Sequence, residues 1–77
     1  MARITKKEVQ DFLKMEQERY GDISDYTANT LAWSFLLGMA PRECEGMYCE
    51  EDMDEETIQL YDDTVSIVYT LRHEGKI

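Results

Sequence analysis

Long apolar runs and a secretion signal are both missing from this sequence. No stretch reaches the roughly 18 consecutive apolar residues that a membrane-spanning helix needs. The first ten residues, MARITKKEVQ, start with basic side chains, but no apolar segment follows them as it would in a signal peptide. We therefore expect a cytoplasmic protein that does not bind membranes.

Proline, glycine and cysteine are also few. The chain has one Pro, four Gly and two Cys, and 43% of its residues are hydrophobic. Such a composition is too apolar for a disordered tail. A length of 77 residues suits one small domain, residues 1–77, and is short for an elaborate enzyme cleft. In a reducing compartment, Cys44 and Cys49 are expected to be free thiols.

Basic residues are scarce relative to acidic ones. Eight Lys and Arg stand against 17 Asp and Glu, which gives a net charge of −9. Binding to a phosphate backbone depends on Lys and Arg displacing counterions, so direct binding to nucleic acid is not expected. The field of the molecule would instead attract a basic protein. The alternative interpretation is that the acidity only keeps a small protein soluble.

The first predicted helix begins after Thr5 and ends before Gly21. Thr5 and Glu8 have the spacing of a capping box, and Ile4 is placed to form a hydrophobic staple. Gly21 is a left-handed stop signal. Apolar residues recur between these ends at helical spacing: Val9, Phe12, Leu13 and Tyr20.

The second predicted helix begins at Asp22 or Ser24, either of which can act as an N-cap, and runs to near Leu37. Apolar residues cover so much of its circumference that we expect it to be the central helix. Gly38 is its stop signal. A long acidic loop then extends from Gly38 to Met53, and connections of that length are usually functional or mobile.

The third predicted element is a helix that begins after Asp54. Asp54 can cap it, acidic residues follow in its first turn, and Gly75 lies beyond its end. The segment TVSIVYTL (64–71) also alternates like a β-strand, which would place a β-hairpin at about residues 57–71. Because both ends carry caps, we predict a mainly α fold, a small three-helix domain with the acidic loop between helices 2 and 3. The alternative is an α+β fold with the C-terminal hairpin.

Zinc binding and catalysis both have weak sequence support. Cys44, Cys49 and His73 could supply three zinc ligands, whereas a structural site needs four. A cysteine–histidine pair also lacks a recognisable orienting group or oxyanion site. We therefore predict no enzyme activity, no catalytic or metal-binding residues and no cofactor, and keep a metal-stabilised module as an alternative.

A calcium loop is similarly incomplete. Asp52, Asp54 and Glu56 occupy the first, third and fifth places of a loop like that of an EF-hand. The sixth place is Thr57 rather than the turn Gly, and the twelfth is Asp63 rather than Glu. Specific calcium binding is not expected from this pattern.

The acidic residues are concentrated in one part of the chain. Ten of the 17 lie between Glu43 and Asp63, a segment that contains no Lys or Arg. A row of carboxylates can occupy a basic groove that normally holds nucleic acid, because it resembles the charges of phosphates. We therefore expect a small acidic protein that binds and inhibits or regulates a basic, nucleic-acid-binding protein. Phages and mobile elements use chains of this kind against host defence or transcription proteins.

The expected partner-binding residues fall into an acidic and an apolar set. The acidic set comprises Glu50, Glu51, Asp52, Asp54, Glu55 and Glu56. The apolar set, expected to anchor the partner, comprises Met47, Tyr48 and Met53. The main alternative is a structural or assembly subunit that forms a homodimer through the apolar faces of its helices.

Overall fold

The computed structural model describes residues 4–46 and 53–76, and over these residues the chain is mainly α-helical. The α-helices are α1 (Lys6–Tyr20), α2 (Ala28–Leu37) and α3 (Glu55–His73), and a short 3₁₀ helix (Pro41–Cys44) follows α2. The predicted three-helix fold is confirmed. The alternative hairpin at about residues 57–71 is wrong, because that whole segment lies within α3.

The start of α1 has the predicted capping box. The Glu8 backbone N–H donates to the Thr5 hydroxyl, and the Thr5 backbone N–H donates to the Glu8 carboxylate, each at 3.2 Å. Ile4 packs against the same apolar cluster that contains Val9. These reciprocal bonds satisfy backbone groups that the first turn of a helix otherwise leaves unpaired.

The second helix begins later than predicted. Its N-cap is Thr27, whose hydroxyl accepts a 3.2 Å hydrogen bond from the Thr30 backbone N–H. Asp22 instead closes a local turn, in which its carboxylate accepts a 2.9 Å bond from the Ser24 backbone N–H. Ile23, between those two residues, is buried in the core. The segment 22–26 is therefore held as a turn by Asp22 and Ile23, and a helix start at Asp22 or Ser24 is incorrect.

Residues 38–46, which follow α2, contain the short 3₁₀ helix. Gly38 ends α2 in the left-handed conformation, at φ +68°. The Ser34 hydroxyl then donates to the Met39 carbonyl and holds the chain close to the helix end. Pro41 begins the 3₁₀ helix, where its fixed φ and missing N–H carry little cost. Its last residue, Cys44, is fully buried.

Helix α3 is held by polar contacts at both of its ends. Asp54 caps it, accepting a 2.8 Å bond from the Thr57 backbone N–H. Near its other end, the Arg72 guanidinium donates to the backbone carbonyl of Tyr26, ahead of α2. An ion pair joins Lys6 of α1 to Glu74, just beyond α3.

Helix α2 is the central element, as predicted, and packs mainly against α3 and the 3₁₀ helix. Its buried residues lie all around its circumference. The first core cluster comprises Val9, Leu13, Ile23, Ala28, Leu31, Val68 and Leu71. The second comprises Ala32, Trp33, Cys44 and Tyr61.

Two aromatic pairs reinforce the packing of α2. The ring of Phe35 meets that of Phe12 edge to face, with centroids 5.3 Å apart, and the ring of Trp33 stacks on that of Tyr61 at 4.6 Å. Both arrangements are favoured by the quadrupoles of the rings. Across residues 4–46 and 53–76, none of the helices combines the length and the apolar character needed to cross a membrane.

Candidate functional site

The α3 acidic surface, defined here as Glu55, Glu56, Asp62 and Asp63, lies on the side of α3 that faces away from the core. The opposite face of the helix buries Tyr61, Thr64, Val68 and Leu71. Glu55, Glu56 and Asp62 are exposed and Asp63 is half-buried. Because Glu55 and Asp62 are seven residues apart, they lie two turns apart on one face of the helix.

No basic side chain neutralises the α3 acidic surface within the described residues. In that part of the chain the ion pairs join Lys6 and Lys76 to Glu74, at the other end of α3. The sequence has no Lys or Arg between Glu43 and Leu71. The α3 acidic surface is therefore a region of uncompensated negative charge.

Asp54 has a structural role at the edge of this surface. Hydrogen bonds from the Thr57 side chain and backbone N–H lower the pKa of the Asp54 carboxyl from its ordinary value. The carboxylate is thus kept charged at the N-terminus of α3, where a negative charge interacts favourably with the helix dipole. Its exposure still allows it to contribute to the field of the α3 acidic surface.

Most of the other predicted partner-binding residues lie outside the described residues. These are Met47, Tyr48, Glu50, Glu51 and Asp52. Of the predicted apolar anchors, Met53 is described, and it is half-buried against the second core cluster. The part of the predicted site that the structure brings together is therefore Asp54, Glu55 and Glu56.

The residues considered for metal binding are dispersed. Cys44 is buried beneath α2, whereas His73 is exposed in the last turn of α3, and Cys49 lies outside the described residues. Within residues 4–46 and 53–76, no three His, Cys, Asp or Glu side chains come together in a way that could hold a metal ion. The candidate calcium-loop residues from Glu55 to Asp63 are helical, which is incompatible with wrapping around an ion.

The Cys44 thiol is held in its neutral form. Burial raises its pKa, and the negative charges of Glu43 and Glu16 raise it further. A reactive cysteine needs the opposite environment, with nearby positive charge and partial exposure. Cys44 therefore serves as a small core residue of the second cluster.

Glu16 is a buried acid that the sequence interpretation overlooked. Its side chain is 3% exposed, and its Oε2 atom has no hydrogen-bond partner in the described structure. Burial raises the pKa of its carboxyl, and the nearby Arg19 partly opposes that effect. The signal was present in the sequence, because Glu16 follows Val9 and Leu13 at helical spacing on the same face of α1.

A cleft that opens between α1, the 21–27 segment and the 3₁₀ helix was also not predicted. We call it the tyrosine cleft. It has a volume of about 400 Å³ and is lined by Tyr20, Tyr26, Ala40, Pro41, Arg42 and Glu43. Tyr20 was predicted to belong to the apolar stripe of the first helix, and the turn at 22–26 brings Tyr26 to the same opening.

A second, smaller cavity lies against the 21–27 segment, near the tyrosine cleft. It has a volume of about 280 Å³ and is lined by Gln17, Ile23, Ser24 and Arg72. The Arg72 guanidinium in its wall already donates to the Tyr26 carbonyl. This cavity therefore belongs to the contact that fixes the 21–27 segment on α3.

Comparison with known proteins returned no match, whether to a protein-family model, to a curated protein or to a solved structure.

Proposed function

We propose that this protein is a small acidic binding module that docks on the basic, nucleic-acid-binding surface of a larger protein and inhibits or regulates it. The observation that carries the proposal is the α3 acidic surface, a set of carboxylates on a rigid helix with no basic partner in the described chain. A helix holds these charges at fixed spacings, so they can face an array of Lys and Arg side chains. Association would release counterions from that array, as nucleic acid does.

The charge of the whole chain supports the same partner chemistry. A net charge of −9 on 77 residues accelerates encounter with a basic protein and repels nucleic acid and anionic membranes. An inhibitor encoded by a phage or mobile element, directed at a host defence or transcription protein in the cytoplasm, is the biological setting that we propose.

A charge-matched pair of variants tests this function. In the test variant, Glu55→Gln and Asp62→Asn remove two charges from the α3 acidic surface. In the control, Asp11→Asn and Glu18→Gln remove two charges from exposed positions on α1. Immobilised protein would first be used to capture partners from a bacterial lysate, and affinity for the captured protein would then be measured at several salt concentrations.

The expected partner is a basic protein whose binding is competed by nucleic acid. The test variant should bind it more weakly and with a shallower salt dependence than the control, because it forms fewer ion pairs with the partner. Equal losses in both variants would show that only the net charge matters and would contradict docking through α3. Recovery of the chain alone, with a dimer mass by light scattering, would support the homo-oligomer instead.

A further inference from the structure

We propose that the tyrosine cleft holds an arginine side chain of the partner protein. The proposal rests on the proposed function, since it takes the partner to be basic, but it concerns a different surface from the α3 acidic surface. It assigns the cleft a ligand chemistry, a guanidinium group on an aliphatic stem.

The walls of the cleft suit a planar cation. Tyr20, at the end of α1, is 49% exposed, and Tyr26 is half-buried against the first core cluster. Neither ring takes part in the aromatic pairs of the described structure, so no other ring covers their faces. A guanidinium group that lies over a tyrosine ring is attracted by the ring quadrupole, and its plane stacks on the ring.

The tyrosine cleft is also rigid on one side. The Arg72 guanidinium donates to the backbone carbonyl of Tyr26, and Thr27, the next residue, caps α2. Pro41 on the facing wall is buried and begins the 3₁₀ helix. Walls that are fixed before binding reduce the entropy that a ligand loses on entering.

The charge of the whole molecule, −9, favours a cation over an anion at the cleft. Glu43 lines it, and Asp22 and Asp25 are exposed on the short segment that joins the two tyrosines. Within the described chain, none of these three carboxylates forms an ion pair. Arg19, Arg42 and Arg72 act in the opposite direction near the cleft, so the attraction for a cation comes from Glu43 in its wall and from the net charge of −9 of the whole chain.

The dimensions agree with this ligand. A volume of about 400 Å³ falls within the range of roughly 300–1,000 Å³ that is typical of small-molecule clefts. It is large enough for a guanidinium group and its methylene stem beside the tyrosines, with Ala40 against the stem. The carboxylate of Glu43 can then accept hydrogen bonds from the guanidinium group.

The test is an NMR titration of the full chain with N-acetyl-arginine amide at millimolar concentrations. The control ligand is N-acetyl-citrulline amide, which has the same shape but no charge. Arginine should shift the resonances of Tyr20, Tyr26 and Glu43, and citrulline should leave them largely unchanged. Tyr20→Ala should weaken arginine binding by about 3- to 30-fold, and Glu43→Gln by about two- to fivefold.

Two further variants complete the design. Tyr69→Ala removes a tyrosine of comparable exposure, 59%, from α3 and should leave arginine binding unchanged. Arg42→Gln removes the opposing charge at the rim and should leave binding equal or stronger. Both substitutions alter exposed side chains, so folding is not expected to suffer.

Several results would overturn the proposal. These are equal responses to arginine and citrulline, equal losses in the Tyr20 and Tyr69 variants, a loss of binding in Arg42→Gln, and no response at the solubility limit of the ligand. Shifts confined to Glu55 and Asp62 would overturn the arginine cleft while leaving docking through α3 intact. If arginine binds the cleft as expected but the two charge-matched variants lose equal affinity for the partner, docking through α3 is contradicted and the arginine cleft stands.

Discussion

The buried carboxyl of Glu16 should make the protein less stable than it could be. Glu16→Met replaces the side chain with an unbranched apolar one of similar length, and Glu16→Gln removes the charge while keeping the shape. Glu, Gln and Met have similar helix propensities, so the difference would come from burial rather than from α1 itself. Glu18→Gln, at an exposed position of the same helix, is the matched control.

The size of the effect follows from the unpaired oxygen. Glu16 is 3% exposed and its Oε2 atom has no partner among the described residues. A buried polar group without a hydrogen bond costs about 1–3 kcal/mol, and a charged one costs more. Glu16→Met should therefore raise the free energy of unfolding by about 1–3 kcal/mol, and each 1 kcal/mol corresponds to roughly 4–8 °C in Tm for a domain of this size. Glu16→Gln should give a smaller gain.

The pH dependence gives this prediction a distinct signature. The pKa of Glu16 is raised above its ordinary value of 4.5, so the folded protein holds this proton more tightly than the unfolded chain. Protonated Glu16 thus contributes to the free energy of unfolding. This contribution is fully present below the ordinary pKa and is lost as the pH rises through the folded-state pKa. Asp22, Asp54 and Glu74 have lowered pKa values and change stability in the opposite direction.

Urea unfolding, followed by the fluorescence of Trp33, measures the effect. Trp33 is the single tryptophan and is 1% exposed, so its emission reports its transfer to water. The difference in the free energy of unfolding between Glu16→Gln and the unaltered protein isolates the contribution of Glu16, because the other acids are present in both proteins. This difference should grow as the pH rises from acidic values to neutrality. A flat difference for Glu16→Gln, or a loss of stability in Glu16→Met, would refute the reasoning.

Two further predictions concern a cap and a thiol. Thr27→Ala removes the side-chain acceptor for the Thr30 N–H and should lower the free energy of unfolding, measured in urea, by about 1 kcal/mol. Thr27→Ser keeps a hydroxyl acceptor and should lose much less stability. Equal losses in the two variants would contradict the role of Thr27 as a cap. In a Cys49→Ser background, the Cys44 thiol should react with a thiol reagent only as fast as the protein opens, because it is fully buried and its pKa is raised. Reaction at the rate of a free cysteine in the native protein would contradict that placement.

The starts of α1 and α3, each of which has one clear side-chain cap, were predictable. Thr5 with Glu8, and Asp54, each satisfy backbone groups within three residues, so local sequence is sufficient. For α3, capping and helical spacing together outweighed the β-branched composition of residues 64–71. Packing on α2 then determines which of its faces is buried.

The start of α2 was not predictable from local signals alone. Asp22, Ser24 and Thr27 can each act as an N-cap, and the choice depends on the burial of Ile23, a tertiary contact. The tyrosine cleft has the same origin, since it requires the 3₁₀ helix to return beside Tyr20 and Tyr26. Of the predicted acidic partner-binding residues, Asp54, Glu55 and Glu56 lie at the start of α3, while Glu50, Glu51 and Asp52 lie outside the described residues.

The unequal packing of the helices also bears on how the native protein opens. Helix α2 is held mainly by α3 and the 3₁₀ helix, while α1 packs less extensively on α3 and only slightly on α2. Partial unfolding follows the weakest interface between cooperative units. Helix α1 should therefore detach before α2 and α3 separate, and it would take the buried charge of Glu16 into water as it does so. In native-state hydrogen exchange, the amides of α1 should then exchange at a lower free energy than those of α2 and α3, and protonation of Glu16 at acidic pH should raise that free energy.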